Sequence, residues 1–197
     1  RQDERQAFAW ARKAAEAGDE SGQVLIGAMY WEGLGVDKNP DLAISWFRKA
    51  VDGGSAVGQW MLGQMHAIGI GLEKDLAEAA KLYREAADQG LAEAQTALGL
   101  ALANGRGVAK DEVEAIRWIR AAADQGFADA QYYLGRGYEQ GIGVALDASE
   151  AAKWYRKGSE LGDPHSLNAL GGLYQRGNGV VKNDAEAVRA YSMAAEK

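Results

Sequence analysis

The pattern of apolar and polar residues predicts pairs of short helices joined by glycine-rich loops. In residues 128–140, Ala130, Leu134 and Tyr138 recur at the spacing of one helix face. A second helix is predicted in residues 148–161, where four small or aromatic residues share a face: Ala151, Trp154, Tyr155 and Gly158. Together the two stretches form a helical hairpin.

Glycines and cap residues predict where these helices end. Gly141 and Gly143 follow the first helix, and glycine readily adopts the left-handed conformation found after helix C-termini. Asp147 precedes the second helix, and Glu150 follows it at the spacing of a capping box. The same pair recurs as Asp75/Glu78, Asp111/Glu114 and Asn183/Glu186, and more loosely as Asp3/Gln6.

The hairpin recurs with a period of 36 residues and without insertions or deletions. One glycine inside the first helix marks each repeat: Gly27, Gly63, Gly99, Gly135 and Gly171. Such a period predicts a stacked, all-α repeat array. We predict a lone helix at 3–17 and hairpins at about 20–54, 56–90, 92–126, 128–162 and 164–197 in one domain spanning residues 1–197. Both ends fall inside a repeat, so we expect a piece of a longer protein.

The recurring glycines sit inside a helix, where glycine is unfavourable by roughly 0.5–1 kcal/mol relative to alanine. A close approach of two helices is the simplest reason for keeping them. Five positions earlier stand other small residues, which we assign to the same crossing: Gly22, Gly58, Ala94, Ala130 and Ser166.

Composition excludes several classes of function. The net charge of −6 disfavours nucleic acid or an anionic membrane as the main partner. The chain has no cysteine, no apolar stretch long enough to cross a membrane, and only two histidines, His66 and His165, in distant repeats. No phosphate-binding loop or nucleophile motif is present. We therefore expect no enzyme activity, no cofactor and no metal.

The repeated unit, written A-x-x-x-L-G-x-x-Y-x-x-G-x-G-V-x-x-D-x-x-x-A-x-x-W-Y-x-x-A-A-x-x-G, resembles the Sel1-like repeat, a relative of the tetratricopeptide repeat. The stretch "AQYYLGRGYEQGIGVALDASEAAKWYRKG" carries the resemblance most clearly. It implies a right-handed α/α superhelix that serves as an adaptor or scaffold for other proteins, in bacteria either exported to the periplasm or kept in the cytoplasm. The last repeat departs from the pattern, with Ala190 in place of the usual tryptophan and Ser192-Met193 in place of "RK".

Residues that recur at one repeat position are predicted to serve packing. Four tryptophans share such a position, Trp10, Trp46, Trp118 and Trp154, and three tyrosines share another, Tyr30, Tyr138 and Tyr174, which His66 also occupies. Four arginines recur on the second helix, Arg48, Arg84, Arg120 and Arg156. We interpret them as a solvated face with local ion pairs rather than an anion site.

Positions that vary between repeats are candidates for binding. In tetratricopeptide-like packing they lie on the concave side of the first helices. The candidate partner-binding residues are Val24, Trp31, Val57, Trp60, Gln64, Thr96, Leu100, Tyr132, Arg136 and Glu139. The surface is expected to be apolar toward the N-terminal half and polar toward the C-terminal half, where His165, Asn168 and Arg176 add to it. The alternative is that Trp31 and Trp60 pack on neighbouring repeats.

The leading hypothesis is a non-catalytic scaffold that holds a peptide, helix or loop of another protein in the concave groove. Tryptophan, tyrosine and arginine dominate the energy of such interfaces. An alternative is a carbohydrate- or peptidoglycan-associated module of the bacterial envelope, with aromatic side chains stacked on sugar rings. A further possibility is self-association through exposed repeat ends, because an uncapped array exposes apolar surface.

Overall fold

The structure is a computed structural model that describes residues 2–197. Within that range it contains eleven α-helices and no strand, which confirms the predicted fold class. The helices are α1 (Gln2–Glu16), α2 (Glu20–Glu32), α3 (Pro40–Asp52), α4 (Ala56–Ile68), α5 (Leu76–Asp88), α6 (Ala92–Asn104), α7 (Glu112–Asp124), α8 (Ala128–Gln140), α9 (Ala148–Glu160), α10 (Pro164–Arg176) and α11 (Asp184–Ala195). We call the even-numbered helices A helices and the odd-numbered helices B helices.

Contacts within the chain group it into two compact units. Unit 1 extends to Ala94 and includes Arg106–Val108; unit 2 comprises Gln95–Gly105 and Ala109–Lys197. The boundary falls within α6, between Ala94 and Gln95. The predicted organisation as one domain stays a prediction. None of the helices in residues 2–197 has both the length and the apolar character that crossing a membrane requires.

Main-chain hydrogen bonds close each hairpin loop. The carboxylate of Asp147 caps α9 by accepting from the N–H groups of Ser149 and Glu150 at 2.9 and 3.0 Å. The N–H of Asp147 donates to the carbonyl of Tyr138 at 2.9 Å, so the cap residue needs no bond from Glu150. Glu150 pairs with Lys153 instead. The predicted caps are therefore confirmed at Asp75, Asp111, Asp147 and Asn183, but the reciprocal bond of the capping box is wrong at α9. The looser pair Asp3/Gln6 is wrong as a cap, because Asp3 lies inside the first turn of α1. The same N–H bond to an A helix recurs at Asn39, Asp75, Asp111 and Asn183.

The glycines inside the A helices lie where the following B helix crosses closely, as predicted. A Cβ atom on Gly135 would stand 2.5 Å from Cε1 of Tyr155, and one on Gly27 would stand 2.6 Å from Cε1 of Phe47. Real Cβ atoms do not approach other atoms this closely in a packed interior. Glycine is therefore required for the two helices of each hairpin to meet.

The small residues five positions earlier pack at a different crossing, so their predicted place is wrong. A Cβ atom on Gly22 would stand 2.7 Å from the Cβ of Ala14, which belongs to the preceding B helix. Five residues turn a helix by about 140°. Consequently Gly22 and Gly27 face opposite neighbours, and α2 is held closely on two sides.

The recurring tryptophan position is a packing position in only part of the chain. Trp154 is 7% exposed, and Trp46 packs against a cluster built by α1 and α2. Trp10 is 70% exposed, so its prediction as a core residue is wrong. Trp46 rests on the two helices that precede α3, whereas within residues 2–197 no helix precedes α1.

Two of the four recurring arginines bind across the hairpins rather than within one helix. Arg120 donates to the hydroxyl of Tyr138 at 2.5 Å, and Arg156 donates to the hydroxyl of Tyr174 at 3.3 Å. The prediction of local ion pairs is wrong for these two residues, because each arginine reaches the tyrosine of the next A helix. That tyrosine position is half-buried, and His66 occupies it in α4.

Candidate functional site

In unit 1 the candidate residues lie on α2 and α4. Val57, Trp60 and Gln64 follow one another at i, i+3 and i+7, so they share one face of α4, which continues to Ile68. Val57 is 37% exposed and Ile68 is 54% exposed, while Trp60 and Gln64 are half-buried. This face of α4 therefore presents apolar surface to solvent around a partly accessible indole ring.

On α2, Val24 and Trp31 occupy the corresponding face, and both are half-buried. Trp31 packs against a core cluster that includes Ile44, Phe47 and Leu62. The ammonium group of Lys38 lies 5.4 Å from the centroid of its ring. The packing alternative therefore describes much of the environment of Trp31, and only the remaining part of its ring is accessible to a partner.

In unit 2 the candidate face is a cluster of aromatic and charged side chains on α8 and its neighbours. The ring of Tyr132 lies 5.4 Å from the ring of His165 on α10 and 5.9 Å from that of Tyr155 on α9. The guanidinium group of Arg136 is 5.9 Å from the centroid of Tyr132. Tyr132 thus fills the centre of the cluster, and Arg136 lies beside it on the same helix face.

Glu139 is held by two partners from different helices. The hydroxyl of Tyr155 donates to Oε2 of Glu139 at 2.7 Å, and Arg176 on α10 pairs with Oε1 at 3.0 Å. Burial raises the pKa of the Tyr155 phenol well above its ordinary value, and the bond to Glu139 raises that pKa further. The phenol is therefore neutral at physiological pH and fixes the carboxylate as an acceptor.

Arg136 differs from Arg176 in having no acidic partner. It is half-buried, and within residues 2–197 no carboxylate forms an ion pair with it. The nearby carboxylate of Glu139 is already bound by Tyr155 and Arg176. A guanidinium group offers five N–H donors in a planar fork suited to carboxylates. Arg136 therefore supplies unused positive charge and donors next to an aromatic ring.

The two remaining candidates lie on α6. Leu100 is half-buried, but Thr96 is only 5% exposed, so its side chain lies within the packing. A repeat position that varies therefore does not always reach the surface, because a small residue there is covered by its neighbours. Tyr155 also belongs to this site, because its hydroxyl contacts Glu139, although its place beside Trp154 on the helix face predicts packing alone.

Within the described part of the chain, no group of three or more histidine or acidic side chains is arranged to hold a metal ion.

The chain is similar to known repeat proteins over its whole length. The family model of the Sel1 repeat matches residues 1–19, 21–55, 56–91, 92–127, 128–163 and 164–197. A Sel1 repeat protein from Oxalobacter formigenes has a TM-score of 0.91 and 34% identity, over 99% of this chain and 78% of that one. No curated protein sequence matches the chain significantly.

Two other solved structures share the fold. A protective antigen present in uropathogenic Escherichia coli has a TM-score of 0.87 and 36% identity, over 96% of this chain. This chain spans only 40% of that antigen's chain. An immunity protein from Pseudomonas aeruginosa has a TM-score of 0.66 and 23% identity, over 97% of this chain and 73% of that one, and this likeness shows the fold alone.

The Sel1 repeat is a non-catalytic fold that mediates protein–protein interactions. The comparisons give no support to the carbohydrate-binding alternative. Six matched repeats and the likeness to Sel1 repeat structures lead to one conclusion: the chain belongs to the Sel1 repeat family.

Proposed function

We propose that the chain is a non-catalytic scaffold that binds a segment of another protein on the outer faces of its A helices. These are the faces that carry the candidate residues, such as Val24, Trp60 and Tyr132. The observation that carries this proposal is the pair Tyr132 and Arg136 in unit 2. Tyrosine and arginine are enriched among residues that dominate interface energies. Here the arginine is half-buried and has no ion pair within the chain, so it is available to an acidic group of the partner.

The face in unit 1 supports a contact of different chemistry. Val57, Trp60 and Ile68 present apolar surface along α4, and no lysine, arginine, aspartate or glutamate interrupts this helix. We propose that an apolar side chain of the partner rests against Trp60. The partner segment at this face is therefore apolar, whereas the segment at Arg136 is acidic.

Affinity capture with the immobilised chain, from a cell lysate and an envelope fraction, would supply candidate partners. Binding of each purified partner is then measured by calorimetry. Trp60→Ala is expected to weaken binding by about 2 kcal/mol, or about 30-fold in Kd, if Trp60 is a hot spot. Arg136→Ala is expected to weaken binding by a similar factor, and more strongly at low salt.

Two matched variants control for general effects. Trp118→Ala removes a half-buried tryptophan from a B helix, and Arg48→Ala removes an exposed arginine from another B helix. Both are expected to leave the Kd unchanged. A Trp60→Ala variant that melts at much lower temperature but binds normally would show that Trp60 is a packing residue. Equal losses in Trp60→Ala and Trp118→Ala would contradict the proposed face.

A further inference from the structure

One repeat position on the B helices changes size abruptly in the last hairpin. It holds a large side chain in the first five B helices and an alanine in α11: Trp10, Trp46, Leu82, Trp118, Trp154 and Ala190. The corresponding space in the last hairpin is not filled by the chain's own side chain at this position.

Trp46 shows what surrounds a tryptophan at this position. It packs against a cluster that includes Ala15 and Ile26, and Tyr30 packs against the same cluster. Four repeats later these three positions are Ser159 on α9, and Leu170 and Tyr174 on α10. A tryptophan in place of Ala190 would therefore rest on these three residues.

The structure has a cleft at this place. Its volume is about 340 Å³, and it is lined by Ser159, Leu170, Tyr174 and Ala190. Leu167 and Met193 complete its apolar wall. Small-ligand sites begin at about 300 Å³. The cleft therefore lies over the residues that correspond to the surroundings of Trp46, and it is large enough to hold a side chain.

A second replacement adds an apolar side chain to the wall of this cleft. In three other B helices a lysine ammonium group lies over the tryptophan ring at 3.8–4.7 Å: Lys13, Lys49 and Lys157. The same position in α11 holds Met193, which is 41% exposed and lines the cleft. A methionine thioether makes favourable contacts with aromatic rings and adapts its shape to them.

We propose that this cleft binds a tryptophan side chain presented by a segment of a partner protein. The chain itself places an indole ring at this position in other hairpins, which defines the shape that the cleft accepts. Charged side chains of both signs also line the cleft: Arg156, Glu160, Glu186 and Arg189. They offer donors and acceptors to the main chain of a peptide that carries the tryptophan. The cleft involves α9, α11 and the side of α10 that faces them, so it is distinct from the A-helix faces.

Methyl NMR of methionine tests the proposal directly. The chain has four methionines, and Met29, Met61 and Met65 lie outside the cleft as internal references. Titration with N-acetyl-L-tryptophanamide is expected to shift the methyl signal of Met193 in a saturable manner, because the indole ring current acts on nearby groups. The alanine analogue of this probe is expected to cause no shift.

Two variants that each add a tryptophan to α11 distinguish binding in the cleft from effects elsewhere on the helix. Ala190→Trp fills the cleft from within, so it is expected to shift the Met193 signal without ligand, abolish the response to the probe and raise the melting temperature. Val188→Trp adds the same indole ring at an exposed position of the same helix and is expected to keep the response.

Three results would overturn the proposal. The first is the absence of a saturable Met193 shift, and the second is an unchanged response in Ala190→Trp. The third is a Met193 shift that grows with protein concentration and disappears in Trp10→Ala, because it would make a second copy of the chain the occupant. None of these results depends on the A-helix faces, so the test is independent of the proposed function.

Discussion

Positions in the interior of a hairpin vary less between repeats than positions on the outer face of its A helix. In the interior, the position opposite the helix glycine holds a bulky apolar or aromatic residue in every hairpin: Phe47, Tyr83, Ile119, Tyr155 and Tyr191. On the outer face, the position of Tyr132 holds residues of unrelated chemistry in the other repeats, among them Val24, Trp60 and Asn168.

The difference arises from what constrains each position. An interior residue must fit a gap of fixed width, since the glycine lets the two helices meet at van der Waals distance. An outer residue meets solvent on one side, so its size and charge can change without moving a helix. Substitutions inside the hairpin should therefore affect stability, and those on the outer face should affect binding.

The largest effect is expected inside the hairpin, from Gly135→Ala. The new Cβ would stand 2.5 Å from the ring of Tyr155, and overpacking of this kind typically costs about 1–3 kcal/mol. Gly172→Ala is the matched control, because its Cβ would meet only the flexible end of Arg176 at 3.1 Å. The control is expected to be neutral or stabilised by up to about 1 kcal/mol. Urea unfolding of both variants measures the difference, and equal free energies would contradict the rule for the interior.

A smaller effect is expected at the crossing between α9 and α10. A Cβ on Gly158 would meet the side chain of Ser166. In the equivalent pair of unit 1 the larger residue is on the B helix, where Ala50 packs against Gly58. Gly158→Ala is expected to cost about 1–2 kcal/mol. Adding Ser166→Gly reproduces the pairing of unit 1 and should restore most of that loss. Independent, additive effects in a double-mutant cycle would show that the two residues are not a matched pair.

The free energy of unfolding at alkaline pH tests the burial of the interior tyrosines. Burial raises the pKa of Tyr83 to about 12, above its ordinary value near 10. Between these values the folded chain keeps a proton that the unfolded chain has lost, so the free energy of unfolding falls as pH rises from about 10 to about 12. The slope reaches about 1.4 kcal/mol per pH unit for each such tyrosine.

Tyr83→Phe removes this titration and places in α5 the residue that α3 has at Phe47. Urea unfolding at several pH values from 9 to 11.5 should show a shallower decline in the variant. Identical slopes would mean that the hydroxyl of Tyr83 ionises equally easily in the folded and unfolded chains.

The smallest effect on stability is expected on the outer face. Arg136→Ala removes a half-buried guanidinium group that makes no ion pair within residues 2–197, so the free energy of unfolding should change by about 0.5 kcal/mol or less. Thermal unfolding measures this change. A loss as large as that of Gly135→Ala would place Arg136 among the packing residues and remove the contrast between the two regions.

The sequence predicts the helices well because their ends carry strong local signals. Glycines with positive φ follow all five A helices of the described chain, at Gly33, Gly69, Gly105, Gly141 and Gly177. Aspartate or asparagine caps five B helices: α3, α5, α7, α9 and α11. These signals depend on only a few adjacent residues, and they recur with the period, so an error at one helix would be visible at the others.

The candidate faces are less predictable because exposure depends on neighbours in space. Thr96 and Tyr132 share a repeat position, yet Thr96 is buried and Tyr132 is half-buried. Trp10 and Trp154 also share a position, but only Trp154 has a preceding hairpin in the described chain to rest upon. The period identifies equivalent positions, whereas side-chain size and the adjacent hairpin decide which of them reach solvent.

The hydrogen bond that closes each hairpin loop also bears on how such genes can change in length. The bond from Asp147 to Tyr138 joins two residues of one repeat, as do its equivalents in the other hairpins. Duplicating or deleting a whole unit of 36 residues therefore leaves every such bond intact. An insertion of a few residues within a loop instead changes the spacing between the N–H donor and its carbonyl. Duplication or deletion of whole repeats should therefore disturb this fold less than the insertion or deletion of single residues.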